Sequence, residues 1–175
     1  MSTTLADRIL ATMRDVEDFP EPGVTFKDIT PVLADGQLLA EAVRAHAEPY
    51  RGAVDLVAGL EARGFIFGAA VAVHLGVGFL PMRKAGKLPG PTVGVDYSLE
   101  YGSARIEVHA EDLPEGARVI LVDDVLATGG TAAAGCRLIE ACGGTVAAVE
   151  VLTEIAALGG RELLAGYTVR SLVTV

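Results

Sequence analysis

Apolar positions near the N-terminus recur every three or four residues. Leu5, Ile9, Met13 and Val16 follow this spacing and predict an amphipathic helix over residues 4–17. Asp35 is placed to cap a second helix. The apolar face of that helix consists of four residues, Leu38, Leu39, Ala42 and Val43. Between the two helices, the prolines of residues 19–24 require an extended or turning segment.

Beyond this region, short apolar runs alternate with helical patterns. The predicted buried strands cover residues 54–60, 77–82, 118–122, 145–152 and 167–174. The predicted helices cover residues 64–75, 130–142 and 159–165, and the first of them is apolar nearly all round, which predicts a buried helix. A strand, a helix and a strand at this spacing form a βαβ unit, whose strands are parallel. We therefore expect one α/β domain over residues 1–175, with a mostly parallel twisted sheet flanked by helices.

One segment departs from this alternation. Polar and apolar residues alternate over Arg105–Val108, and Tyr101–Ser103 has the composition of a turn. Residues 92–109 are therefore predicted to form a hairpin-like excursion. The wider segment 83–109 is predicted to be a flexible loop or hairpin added to the sheet.

Composition and charge exclude several classes of function. The chain has 175 residues, of which 51% are hydrophobic and 21% charged, so it can bury a core and is not expected to be disordered. It has no apolar run of membrane-spanning length, and its N-terminus lacks the basic and apolar regions of a signal peptide. We therefore expect a cytoplasmic protein that binds no membrane. The net charge of −9 argues against nucleic acid as a partner.

A cluster of basic residues stands out in this acidic chain. Arg83, Lys84 and Lys87 precede the sequence Pro-Gly-Pro at residues 89–91. A basic cluster on a loop favours a local anionic ligand. A solvated positive loop would have the same composition, so the cluster alone leaves both interpretations open.

The most informative segment is residues 119–131. Val119–Val122 form a buried strand, and Asp123 and Asp124 follow where that strand is expected to end. A loop of small residues follows the acids and leads into a helix: Ala127, Thr128, Gly129, Gly130 and Thr131. Backbone N–H groups at a helix start favour a phosphate, and ligands bind at the carboxyl ends of parallel strands. A phosphate site beside two carboxylates suits ribose 5-phosphate, which carries both a phosphate and vicinal hydroxyls.

Other phosphate-binding sequences do not account for this segment. An apolar strand that ends in Asp-Asp also occurs in P-loop ATPases, but the chain lacks the Gly-x-x-x-x-Gly-Lys-Ser/Thr loop of that class. It also lacks a Gly-x-Gly-x-x-Gly sequence. As a whole, residues 119–131 resemble the phosphoribosyl-diphosphate-binding motif of the type I phosphoribosyltransferases.

Four further segments resemble the adenine phosphoribosyltransferase branch of that family. They are residues 19–31, 61–65, 83–90 and 97–102. The resemblance implies a type I phosphoribosyltransferase fold in which residues 1–34 form a base-binding hood. It implies transfer of phosphoribose from 5-phospho-α-D-ribose 1-diphosphate to adenine, which yields AMP and diphosphate in purine salvage. It also implies dependence on Mg²⁺ held mainly by substrate and water rather than by side chains, and a cytoplasmic homodimer.

The resemblance also assigns residues to the sugar and its phosphates. Asp123 and Asp124 would hold the ribose hydroxyls and favour the cationic sugar of the transition state. Residues 127–131 would grip the 5-phosphate. Five residues would surround the diphosphate: Arg63, Arg83, Lys84, Lys87 and Tyr101. In this family a non-proline cis peptide would fall near Glu61–Ala62.

The base is assigned to two other parts of the chain. Glu100 is the expected acid or base for the proton that adenine carries. Adenine itself would lie against Val24, Thr25, Phe26 and Lys27. Many family members have Arg where this chain has Lys27. Two alternatives remain open: the same reaction on hypoxanthine, guanine or xanthine, and a non-catalytic regulator that senses phosphoribosyl diphosphate.

Overall fold

A computed structural model describes residues 3–99 and 102–175. The helices are α1 (Leu5–Thr12), α2 (Thr30–Ala34), α3 (Gly36–Ala47), α4 (Gly64–Leu75) and α5 (Gly130–Ala141). The strands are β1 (Arg14–Val16), β2 (Phe26–Asp28), β3 (Leu56–Leu60), β4 (Gly78–Lys84), β5 (Val93–Leu99), β6 (Gly102–Val108), β7 (Arg118–Leu126), β8 (Thr145–Glu154) and β9 (Val169–Thr174). Short 3-10 turns lie at Glu48–Tyr50, Ala110–Asp112, Ala156–Leu158 and Gly160–Leu164.

Seven strands form the main sheet in the order β5-β6-β4-β3-β7-β8-β9. The five strands from β4 to β9 in this order pair in parallel, and the β5–β6 hairpin adds an antiparallel edge. The predicted mostly parallel sheet and its hairpin are thereby confirmed. The chain proceeds from β3 to β4 on one side and later enters β7 on the other side of β3. In open α/β sheets, ligands bind where the strand order reverses in this way.

The sheet is covered by apolar side chains on both faces. Val119 and Leu121 of β7 pack into one core cluster together with α5, whereas Ile120 and Val122 pack into another with α3 and α4. This alternation follows from the two-residue period of a strand that is buried on both sides. Helix α4 is buried on one face only, because Val73 is 82% exposed. The nearly all-apolar sequence predicts a fully buried helix, but α4 covers one face of the sheet and exposes its other side.

The predicted helix over residues 4–17 is too long. Thr4 and Asp7 cap its start reciprocally, but α1 ends at Thr12. Residues Arg14–Val16 instead form β1, which pairs with Phe26–Asp28. The apolar spacing continued through Val16, and only the pairing with a later segment shows that this residue belongs to a strand.

Other boundaries also differ from the sequence pattern. Strand β4 continues to Lys84, because β6 pairs with its last residues, so Arg83 and Lys84 lie on a strand and not on a loop. The short α2 was not predicted, and the helix predicted over 159–165 is a 3-10 turn. The cap by Asp35 is confirmed, since its carboxylate accepts from the amides of Gln37 and Leu38. Within the described part of the chain, no helix has the length and apolarity needed to cross a bilayer.

Candidate active site

A cavity of about 590 Å³ opens at the carboxyl ends of β3 and β7. It lies at the reversal of strand order, where the fold is expected to bind a ligand. The residues that border it include the whole run from Asp123 to Ala132. The other residues at its border are Leu60, Glu61, Ala62, Arg63, Lys84, Tyr97, Ala104 and Ile106.

Asp123 and Asp124 lie within β7 and not after its end, because the strand continues to Leu126 in pairing with β8. These two adjacent carboxylates have different surroundings. Asp124 is 5% exposed, and its Oδ2 lies 2.6 Å from Nε of Arg63. Its backbone N–H donates to Oδ1 of Asp123 over 2.9 Å. The pKa of the Asp123 carboxyl lies well above its ordinary value. The main cause is burial away from water, and the second is repulsion from the Asp124 carboxylate. The Asp124 carboxylate is thus paired with the Arg63 cation, whereas ionisation of the neighbouring Asp123 carboxyl costs free energy.

Arg63 reaches this position because Gly64 lets the start of α4 approach β7. A Cβ added at Gly64 would lie 2.8 Å from the carbonyl oxygen of Val122 and 2.9 Å from Oδ1 of Asp123. The guanidinium carbon of Arg63 lies 5.4 Å from the centroid of the Phe26 ring, within cation–π range. Arg63 therefore touches both β7 and the N-terminal segment. The cis peptide expected from the family resemblance is present at Glu61–Ala62.

The loop after β7 has the geometry of an anion site. Gly129 has a φ of +84°, a conformation that favours glycine, and it immediately precedes α5. The first N–H groups of a helix have no partner within the helix and favour a negative group. Residues 127–131 border the cavity at this helix start, so the structure brings all five predicted phosphate-binding residues together.

Of the three residues of the basic cluster, only Lys84 borders the cavity. Nε of Arg83 instead lies 3.3 Å from Oε2 of Glu61, and Nη1 of Arg83 donates to the carbonyl of Lys87. Although burial works in the opposite direction, the Lys84 amide and the Arg83 guanidinium lower the pKa of Glu61. Arg83 thus has a protein partner in this structure, and the diphosphate roles of Arg83, Lys84 and Lys87 stay predictions.

Glu100 and Tyr101, the predicted proton-transfer and diphosphate-covering residues, lie outside the described residues. The strands on either side of them do reach the site. Tyr97 on β5 and Ala104 on β6 both border the cavity. The described strands of the β5–β6 hairpin therefore form part of the cavity wall.

A second cavity of about 210 Å³ adjoins the first. Both are bordered by Arg63, Asp124, Val125 and Ala127. The smaller one is also lined by all four predicted base-binding residues, Val24, Thr25, Phe26 and Lys27. The Nζ of Lys27 lies 2.6 Å from Oδ1 of Asp15, so its ammonium group has a partner on β1.

Four residues that line the smaller cavity are not among those predicted from the sequence. Val125 lies on β7, Ile29 follows β2, Thr153 lies near the end of β8, and Ile155 follows that strand. The carboxyl end of a strand was a usable signal for Thr153, because β8 is the parallel neighbour of β7.

Comparisons with known proteins agree with this geometry. A family model described as phosphoribosyl transferase domain matches residues 26–170. The chain is 56% identical over 176 residues to the adenine phosphoribosyltransferase of Thermobifida fusca, and the alignment covers 100% of both chains. The chain belongs to the adenine phosphoribosyltransferase family.

Solved structures of this family have the same fold as the chain. The adenine phosphoribosyltransferase of Thermoanaerobacter pseudethanolicus superposes with a TM-score of 0.93 at 47% identity, over 98% of this chain and 100% of that one. The adenine phosphoribosyltransferase of Saccharomyces cerevisiae, crystallised with adenine and an imino-altritol bisphosphate, superposes with a TM-score of 0.89 at 37% identity, over 96% of this chain and 98% of that one. The predicted type I phosphoribosyltransferase fold is thereby confirmed.

Proposed function

We propose that the chain transfers the 5-phosphoribosyl group of 5-phospho-α-D-ribose 1-diphosphate to adenine, which yields AMP and diphosphate. The observation that carries this proposal is the pair of adjoining cavities with Arg63 and Asp124 on their common border. The larger cavity has an anion-binding loop and paired acids, as a phosphorylated sugar requires. The smaller one is mostly apolar, with a volume of about 210 Å³, as an apolar planar base requires. The reacting bond would form at the border between them.

The paired acids act on charge that develops at the sugar. When the bond between the anomeric carbon and the diphosphate breaks, the ring becomes positive and the leaving group becomes more negative. Asp123 and Asp124 hold the ribose hydroxyls and stabilise the positive ring, which in a site sheltered from water contributes several kcal/mol, on the order of other preorganised charges. The loop of residues 127–131 fixes the 5-phosphate and so holds the sugar in register with the base.

The leaving diphosphate is assigned to the basic side of the larger cavity. Arg63 is 43% exposed in its side chain, so its guanidinium remains accessible to phosphate oxygens while Nε pairs with Asp124. Lys84 stands on the same cavity border. We assign the proton of the incoming base to Glu100 and the covering of the diphosphate to Tyr101, as the sequence predicts.

The donor groups of the larger cavity fit a Mg²⁺ ion that is held largely by its substrate. Asp123 accepts from a backbone amide, Asp124 pairs with Arg63, and Glu61 pairs with Arg83. Carboxylates with such partners can offer an ion few free oxygens, whereas Mg²⁺ commonly keeps waters and binds substrate phosphates. When bound, the ion would neutralise charge on the diphosphate. Any oxygen that the protein itself supplied to the ion would come from Asp123 or Asp124, which border this cavity.

We further propose that the chain forms a homodimer through α4. Val73 is 82% exposed and Ile66 is 43% exposed on this helix, and an exposed apolar face is typical of a subunit interface. Light scattering of the purified chain tests this, and a monomer at micromolar concentration would contradict it. The cytoplasmic localisation stays a prediction.

The proposed reaction is tested with the purified chain, phosphoribosyl diphosphate, Mg²⁺ and one purine at a time. Release of diphosphate should depend on adenine and on Mg²⁺. Turnover of hypoxanthine, guanine or xanthine but not adenine would replace the proposed base. Binding of phosphoribosyl diphosphate without turnover of any base, together with salt-sensitive retention on DNA, would indicate a regulator.

A further inference from the structure

Two buried side-chain atoms in the described part of the chain have no hydrogen-bond partner, Nε2 of His46 and Oγ1 of Thr153. Thr153 is 1% exposed and borders the smaller cavity, whereas His46 borders neither of the two cavities. A buried hydroxyl without a partner destabilises the folded state, and such groups are rare in proteins. The side chain that carries this buried hydroxyl belongs to the lining of the smaller cavity, which offers a reason for it.

The other buried polar side chains near Thr153 on β8 have partners within the protein. Oε2 of Glu150 lies 2.8 Å from Nδ1 of His46, and Oε1 of Glu154 lies 2.6 Å from Nε of Arg161. Each of these buried acids is therefore paired within the protein. Across the sheet, Thr153 is in register with Val125, which borders both cavities. The unpaired hydroxyl thus lies at the strand end nearest to the place where base and sugar would meet.

We propose that the Thr153 hydroxyl is a specificity-determining group that hydrogen-bonds the purine base in the smaller cavity. The inference rests on the proposed function, because it takes that cavity to be the base site. A hydroxyl can donate to a ring nitrogen and can accept from an amino group, and adenine presents both kinds of atom. Apart from the exposed Thr25, the remaining lining is apolar or already paired, as Lys27 is with Asp15. Thr153 is thus a polar side chain whose hydrogen bond is left for the base to complete.

The test compares two ligands that differ only in the base. AMP carries the purine, and ribose 5-phosphate lacks it, so calorimetry of both separates contacts with the base from contacts with the sugar phosphate. Thr153→Val removes the hydroxyl and keeps the shape of the side chain. It should weaken AMP binding about tenfold, which is about 1.4 kcal/mol, and leave ribose 5-phosphate binding unchanged. Thr153→Ser, which keeps the hydroxyl, should recover most of the AMP affinity.

Controls separate this role from a merely structural one. Thr145→Val makes the same change at the exposed start of β8 and should alter neither affinity. Thr153→Val should also raise the melting temperature of the ligand-free protein, because an unpaired buried hydroxyl is removed. Unchanged AMP affinity, or equal weakening of both ligands, would overturn the proposal. A wild-type chain that releases no diphosphate with adenine would instead refute the proposed function, and the binding comparison would still decide the role of Thr153.

Discussion

Gly160 lies directly behind Gly129, backbone against backbone. A Cβ added at Gly129 would come closer to the Gly160 carbonyl oxygen than real Cβ atoms come to other atoms, and a Cβ at Gly160 would do the same to the carbonyl oxygen of Ala127. The 3-10 turn that begins at Gly160 therefore packs against the loop that precedes α5. The position of this loop depends on a residue far from it in sequence.

Gly160→Ala should weaken binding of the sugar phosphate. The added methyl group meets backbone atoms, which cannot move aside as a flexible side chain can, so the loop at Gly129 must shift. We expect a loss of stability on the order of 1–3 kcal/mol and at least a roughly tenfold loss of ribose 5-phosphate affinity, about 1.4 kcal/mol. Calorimetry and thermal unfolding measure both.

Gly36→Ala provides the matched control, because a Cβ at this first residue of α3 meets nothing within 4 Å. This variant should bind ribose 5-phosphate as the wild type does. Normal affinity in Gly160→Ala would show that the loop keeps its position without this contact.

Asp123→Asn should stabilise the protein increasingly as the pH rises. The folded state raises the pKa of Asp123 above its ordinary value of 3.8, so the folded protein holds this proton more tightly than the unfolded chain. Ionisation of the carboxyl therefore opposes folding, and wild-type stability falls from about pH 4 up to the raised pKa, by at most about 1.4 kcal/mol per pH unit. Asparagine does not ionise. Melting temperatures measured from pH 4 to pH 8 should show a widening advantage of the variant.

Asp55→Asn should behave in the opposite way. Hydrogen bonds from the side chain and then the backbone N–H of Arg118 lower the pKa of Asp55 to about 2. Its carboxylate therefore stabilises the fold above its ordinary pKa, and this contribution disappears as the pH falls towards about 2. The variant should melt below the wild type at neutral pH, and the difference should shrink on acidification. If both aspartate variants gave differences independent of pH, the assigned surroundings of these carboxyls would be wrong.

Asp124→Asn should reduce turnover by roughly 10² or more, the scale of one lost preorganised charge. The fold should persist, since the amide keeps the size of the side chain, although the ion pair with Arg63 is lost. Initial rates of diphosphate release with saturating adenine measure the effect. Asp112→Asn, which changes an exposed carboxylate on a 3-10 turn, is the control. Near-normal turnover of Asp124→Asn would remove the paired acids from the proposed chemistry.

Glu100→Gln should lower kcat more than it raises the KM for adenine, if Glu100 transfers the proton of the base. The prediction comes from the sequence resemblance. Initial rates at varied adenine and saturating phosphoribosyl diphosphate separate the two constants. A raised KM with unchanged kcat would mean that Glu100 binds the base and transfers no proton.

The segment from Val119 to Thr131 shows why much of the site could be predicted. The paired acids lie on β7 and the glycine-rich loop follows that strand directly, so chain connectivity alone brings them to one place. The same is true of Arg63, which lies in the short connection between β3 and α4. Residues 24–27 were assigned to the base through family resemblance, and they do line the smaller cavity.

The incorrect boundaries have one common cause. The apolar period of α1 continues through Val16, but Arg14–Val16 pair with Phe26–Asp28. Strand β4 extends to Lys84 because the hairpin strand β6 pairs with it. In both places the secondary structure depends on a partner strand, and the hydrogen bonds to that partner outweigh the local pattern.

The α/β class, the parallel pairing and the glycine-rich loop after β7 follow from the sequence alone, because side-chain period, strand–helix spacing and glycine freedom are properties of neighbouring residues. Three contacts emerge only from the folded structure: Gly160 packs against Gly129, Arg63 pairs with Asp124, and Thr153 borders the smaller cavity. Each of these contacts joins residues on different elements. Their distances depend on strand order and on the packing of elements against the sheet, which no short stretch of sequence contains.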